Sequence, residues 1–144
     1  AMAVLVIATT LMMGADWGAP FGVAILTVAA VLAAIGIMGL VSAFAKSPEG
    51  AANLGAIIAV VLGMLGGTFF PIGSAGGFLS NLTFVTPHAW FLRGLGDLSS
   101  GAPWTAALPA TGAILIFAIV TWISAGFLIR RRWNHAAYDA KEWW

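Results

Sequence analysis

The sequence predicts an all-α membrane protein, and three observations carry that prediction. Of its 144 residues, 61% are hydrophobic and only 8% charged, with a mean hydropathy of +1.01. Soluble domains carry about 25% charged residues, so this chain has too few polar groups to cover a folded surface in water. Its apolar residues fall in long uncharged runs, without the alternation that barrel strands need. Inside lipid every backbone N–H and C=O must be satisfied within the chain, which makes such runs helices. The net charge of +1 says less than where the charges stand. The absence of cysteine excludes a disulfide framework, a thiolate metal site and a cysteine nucleophile.

Taken in order, the first run is Ala1–Gly14. As a helix it would be about 21 Å long against a hydrocarbon core of roughly 30 Å, so it reads as the end of a truncated span. No basic segment or small-residue cleavage site marks it as a signal peptide. After the turn ADWGAP, Phe21–Ala45 carries no charge and is ample for a tilted crossing. KSPEGAAN, Lys46–Asn53, reads as a solvent loop because it holds a charge of each sign and a proline. Leu54–Phe70 is the third span and Ala106–Ile129 the fourth, closed by RRRW and a tail over 130–144. The whole is a single transmembrane-domain fragment of four helices.

Charge placement predicts orientation. Arg130, Arg131 and Arg132 directly follow the last span, which puts the C-terminus in the cytoplasm. Counting back, Lys46 is also inside, while ADWGAP and residues 73–103 are outside. Arg93 is then the lone basic residue on the outer side. Trp17, Trp90, Trp104 and Trp133 fall near the expected span ends, where indole favours the headgroup zone.

Two features point to function. The third span carries Ala51, Gly55, Ala59, Gly63 and Gly67 four apart, with Gly63 and Gly67 forming a GxxxG pair. Such a face lets helix backbones approach closely, although membrane helices are rich in glycine and alanine in any case. The second feature is 71–103. Pro71, after Phe69 and Phe70, is expected to end or kink the helix. Short apolar pieces follow, broken again at Thr86-Pro87, where Pro87 suits the start of a new helix. No piece is long enough to cross, so the segment reads as an outer re-entrant pair of short helices; an amphipathic surface loop is the competing reading. His88, Arg93 and Asp97 are its ionisable residues, with Arg93 and Asp97 at i, i+4 spacing that allows a helix-stabilising contact. No HExxH, carboxylate cluster, Walker loop or dinucleotide fingerprint occurs, so neither a metal site nor ATP hydrolysis is expected of this chain.

Three stretches together resemble a known family. GLVSAFAKSPEGAANL (Gly39–Leu54) is similar to its short inner loop. GMLGGTFFPIG (Gly63–Gly73) is similar to the glycine-then-FP end of its fifth helix. TPHAWFLRGLGDLSSG (Thr86–Gly101) is similar to its proline-led outer helix with an arginine. In this order they resemble the C-terminal half of type-2 ABC transporter permeases, the membrane subunits of bacterial drug, lipid and polysaccharide exporters. The resemblance covers residues 1–133 and implies that the four spans correspond to helices three to six. It further implies a permease dimer, of like or unlike copies, in the bacterial inner membrane, with separate ABC ATPase subunits that bind ATP and Mg. This chain would then hold no cofactor. Phe69, Phe70, Pro71, Pro87, His88, Arg93 and Asp97 would lie at the outer gate.

The resemblance implies that the family's first two helices and the inner loop that docks on the ATPase are not among these residues. The chain's small and apolar lining suits a small apolar or amphiphilic substrate, and nothing suggests a nucleic-acid partner. Two other functions are compatible with the residues. One is an integral-membrane lipid-modifying enzyme using His88, Arg93 and Asp97, and the other is a membrane anchor that only scaffolds its partners.

Overall fold

The computed structural model describes residues 2–67 and 84–139; Phe69, Phe70 and Pro71 lie outside the described residues, as does the side chain of Arg132. Among the described residues the chain forms helices α1 (Met2–Met13), α2 (Pro20–Phe44), α3 (Pro48–Leu65), α4 (Pro87–Ser99) and α5 (Leu108–Asp139). A 3₁₀ turn at Trp104–Ala107 leads into α5. No strand is present among them. Three stretches, Pro20–Phe44, Pro48–Leu65 and Trp104–Arg131, are long and apolar enough to cross a bilayer. The protein is an all-α membrane protein.

Local chemistry sets the helix starts. Pro20, Pro48 and Pro87 open α2, α3 and α4, where the missing N–H costs nothing and φ is already helical. Ser47 caps α3, its Oγ accepting from the Gly50 N–H at 3.1 Å, and Glu49 lies in the first turn. Both suit the positive end of a helix dipole. This cap corrects the expectation of a solvent loop over Lys46–Asn53: the helix begins inside that stretch, and α2 and α3 form a tight hairpin.

The helix ends also differ from expectation. α3 stops at Leu65 and not near Phe70. Gly66 donates to the Leu62 carbonyl at 2.8 Å, and Gly67 adopts a φ of +82°. A left-handed glycine just past the cap ends a helix without help from a proline. Gly67 therefore lies off the helix and cannot share a GxxxG face with Gly63. Gly55 and Gly63 are buried, Gly55 against Met38, whereas Ala59 is exposed. At the other end of the chain, α5 continues to Asp139, well beyond Ile129. Arginine is a good helix former, so the RRRW run marks the end of the apolar stretch and not of the helix.

The centre of the fold is the α2–α5 pair, which runs parallel. Gly22 faces Trp104, Gly36 faces Thr121 and Trp122, and Gly39 faces Ala125. Numbers rise together on both helices, so Lys46 and Arg130 lie at one end of the bundle and Asp16 at the other. The seam is built from small residues, with Ala29, Ala33, Ala107, Ala110 and Ala118 buried around Leu26 and Ile114. Small side chains bring the backbones close, which is how helices associate where lipid removes the hydrophobic drive. Two polar side chains at the seam are hydrogen-bonded. Thr121 Oγ1 donates to the Phe117 and Ala118 carbonyls, and Trp122 Nε1 crosses to the Leu32 carbonyl at 3.0 Å.

α1, 12 residues and about 18 Å long, is tied to the turn after it. Trp17 Nε1 donates to Thr9 Oγ1 at 3.0 Å. Asp16 Oδ1 accepts from the Gly18 N–H at 2.8 Å, and Gly18, at a φ of +75°, lies directly against the Leu98 carbonyl. Only glycine tolerates both that φ and that approach.

Candidate functional site

The element without a counterpart in an ordinary helical bundle is α4. Its 13 residues, about 20 Å, are too few to cross, yet it is not laid on the surface. Pro87, His88 and Phe91 line a groove of about 260 Å³ with Ala30, Ala33, Ala34 and Ile37, which surround the middle of α2. One turn later Gly94 is seated on Leu26 and Ala110. Near its end, Leu98 is fully buried beside Gly18 and Gly22. α4 thus climbs along α2 from mid-length to the Asp16 end.

This placement is allowed because protein covers the helix. Thr86 Oγ1 caps its N-terminus by accepting from the Ala89 N–H at 3.4 Å, and Pro87, Gly94 and Leu98 are buried. Non-helical backbone at membrane depth is tolerated only under such cover or beside water. The apolar stripe Phe91, Leu95, Leu98 faces the core, while Arg93, Gly96 and Asp97 are exposed. The deep end of α4 also meets the end of α3, where Gly66 packs against Thr86 and His88.

The sequence singled out His88, Arg93 and Asp97 as possible partners, and the structure does not bring them together. His88 is half-buried at the deep end, with its Nδ1 buried and without a hydrogen-bond partner among the described residues. Arg93 turns toward the same end: its guanidinium lies 5.9 Å from the centre of the Trp90 ring and 6.0 Å from that of Phe84. Those rings meet edge to face at 5.7 Å, and Trp90 Nε1 donates to the Phe84 carbonyl at 2.8 Å. Asp97 lies one turn the other way, so the expected Arg93–Asp97 contact is not the one Arg93 makes. Helical side chains lean toward the N-terminus, which carries Arg93 onto Trp90 and away from Asp97. Acid before base is also the better order for an i, i+4 pair, and here the order is reversed.

At the opposite end of the bundle, Arg130 and Arg131 are exposed, and the Arg131 guanidinium lies 5.8 Å from the Phe127 ring centre. Sequence reasoning missed the lock between Leu98 and Gly18 and the seam at Gly36. Trp122 was the available signal for the seam. It sits within an apolar run and not at its end, where a tryptophan needs a partner for its N–H.

The ABC-2 type transporter family profile matches residues 1–98, which span α1 to nearly the end of α4. The chain belongs to the ABC-2 type transporter family. It is similar to the linearmycin resistance permease protein LnrN of Bacillus subtilis (strain 168), with 28% identity over 120 residues. That alignment takes in 83% of this chain and 31% of the relative, so the ABC-2 chain spans about a third of the relative's length. No solved structure matches it. The family match and the three helices long and apolar enough to cross a bilayer make the chain part of a multi-pass membrane protein of the ABC-2 type transporter family. His88, Arg93 and Asp97 are spread along α4 and do not converge on one point.

Proposed function

We propose that the ABC-2 chain forms part of the permease subunit of an ATP-driven exporter. Two permease copies, alike or different, would enclose the translocation pathway, and separate ABC ATPase subunits would bind ATP and Mg and drive it. The family match over residues 1–98 carries the reading. A relative named as a resistance permease supports export over uptake, since resistance is served by removing a compound. The cargo we propose is a small apolar or amphiphilic molecule, because the helices offer small and apolar side chains.

In this proposal Lys46, Arg130, Arg131 and Arg132 face the cytoplasm of a bacterial cell, following the bias of basic residues to the inner side. α4 is the half-crossing outer element, and Phe69, Phe70, Pro71, Pro87, His88, Arg93 and Asp97 belong to the outer gate. Gly55, Ala59 and Gly63 offer small residues on α3 for packing against a neighbouring helix, while Gly67 lies just beyond the helix and off that face.

Co-purification tests the function. The tagged intact permease is expected to bring down an ABC ATPase and to raise its ATP turnover; a permease that retains none in any nucleotide state overturns the proposal. Orientation is tested separately, and no cysteine in these 144 residues has to be removed first. Lys46→Cys and Arg131→Cys are expected to react with an impermeant maleimide only in inside-out vesicles, and Asp16→Cys only in intact cells. The reverse pattern sinks the orientation.

A further inference from the structure

Arg93 stands at an unusual depth. α2 is about 37 Å long and the hydrocarbon core roughly 30 Å, so a centred α2 extends about 4 Å beyond the core at each end. Gly94 rests on Leu26, about six residues or 9 Å in from Pro20. With α2 upright and centred in the core, the Arg93 backbone would lie about 5 Å below the hydrocarbon boundary.

An arginine at such a depth on a lipid-facing helix reaches outward to the headgroups. Arg93 does the reverse. Its guanidinium leans toward Trp90 and Phe84, at the deep end of α4, while α4 presents its other face to α2 and α5. The Trp90 ring beneath it is held by its hydrogen bond to the Phe84 backbone carbonyl. Cations inside a membrane face protein or a wet cavity and pair with an opposite charge. The aromatic rings offer only part of that compensation, and Arg93 remains exposed. Phe84, its chain neighbour Val85 and Arg93's chain neighbour Leu92 are also exposed, at 47%, 68% and 40%. A fixed cation inside an apolar surround matches an anion that arrives on an apolar body.

We propose that Arg93, cradled by Phe84 and Trp90, binds the anionic head group, a phosphate or a carboxylate, of an amphiphile. The bonding would be charge-assisted hydrogen bonds from the planar guanidinium to paired oxygens, with Phe84, Val85 and Leu92 seating the start of the chain. This deepens the export reading by naming a head-group chemistry, but it rests on membrane insertion and not on coupling to an ATPase. A failed titration and a failed co-purification are therefore separate results.

The test is a titration of the intact permease, in phosphatidylcholine nanodiscs, with dodecyl phosphate, dodecyl maltoside and inorganic phosphate. Dodecyl phosphate is expected to bind, and Arg93→Gln to weaken it roughly tenfold or more. Arg93→Lys should weaken it less, and dodecyl maltoside should bind all three forms alike, which certifies that the variants are folded. Equal dodecyl phosphate affinity in Arg93→Gln and the parent overturns the proposal, as does inorganic phosphate binding as tightly as dodecyl phosphate. Repeating the titration in nanodiscs enriched in phosphatidylglycerol separates the two sources. Competition assigns the site to a bilayer lipid and lack of competition to a cargo; either outcome supports an amphiphile's anionic head at Arg93.

Discussion

Gly36→Leu is expected to force α2 away from α5 and to destabilise the bundle by about 3 kcal/mol, the upper part of the usual range for overpacking. A Cβ at Gly36 would meet Thr121 Oγ1 and come within 2.5 Å of Trp122 Cδ1. Neither neighbour is free to yield. Thr121 is buried and donates to carbonyls of its own helix. Trp122 is pinned by its hydrogen bond to the Leu32 carbonyl, so moving the ring leaves an indole N–H and a backbone carbonyl unpaired in an apolar medium. Gly36→Ala carries the same clash with fewer atoms and is expected to cost about 1–2 kcal/mol. Gly112→Leu and Gly126→Leu are the controls, because a Cβ at either meets nothing within 4 Å. Unfolding of the purified permease in mixed micelles, followed by circular dichroism, measures all four. Parent-like stability in Gly36→Leu would show that α2 and α5 do not pack at this point.

That seam also shows how far the sequence could be read. Membrane class and the long spans were legible because lipid selects directly on uncharged length, as in Phe21–Ala45, which the helix Pro20–Phe44 reproduces within a residue. Helix ends were less legible where two signals competed. At Ser47-Pro48 the capping chemistry outweighs the polarity of KSPEGAAN, and at Gly66-Gly67 the glycines act before Pro71 can. Partner choice was not legible at all. The spacing of small residues advertised α3, but a close helix–helix approach is at Gly36 of α2, opposite Thr121 and Trp122, which lie about 85 residues further along the chain. For α4, the pattern gave a short, broken helix with Arg93 and Asp97 at i, i+4 spacing, and the structure added the apolar stripe. How deep the helix sits depends on which turns of α2 receive the stripe, and no local signal encodes that.

The depth of α4 makes Leu98 the residue with the next largest expected effect. Its side chain is fully buried at the Asp16 end, where a Cβ at Gly22 would lie 2.7 Å from Leu98 Cδ2 and where Gly18 lies against its carbonyl. Leu→Ala in a water-soluble core costs about 2–5 kcal/mol, part transfer and part cavity. In lipid the transfer part largely vanishes, since a side chain released from the protein meets hydrocarbon and not water. What remains is lost dispersion contact, so Leu98→Ala is expected near the bottom of that range, at about 2 kcal/mol. The loss should be local. Gly94 still holds α4 to Leu26 and Ala110, and the α2–α5 seam still closes at Gly36 and Gly39, away from Leu98. The expected result is therefore an assembled permease in which the Asp16 end of α4 lifts off α2. A cysteine introduced as Leu95→Cys, packed against the core in the parent, should react with maleimide markedly faster in the Leu98→Ala background, while Ala33→Cys in the seam should not. Leu98→Met, which nearly conserves volume, should leave both rates close to the parent's. If Leu95→Cys stays as protected in Leu98→Ala as in the parent, α4 is held by Gly94 and the deep groove alone, and its outer end is not the clamped element that the buried Leu98 implies.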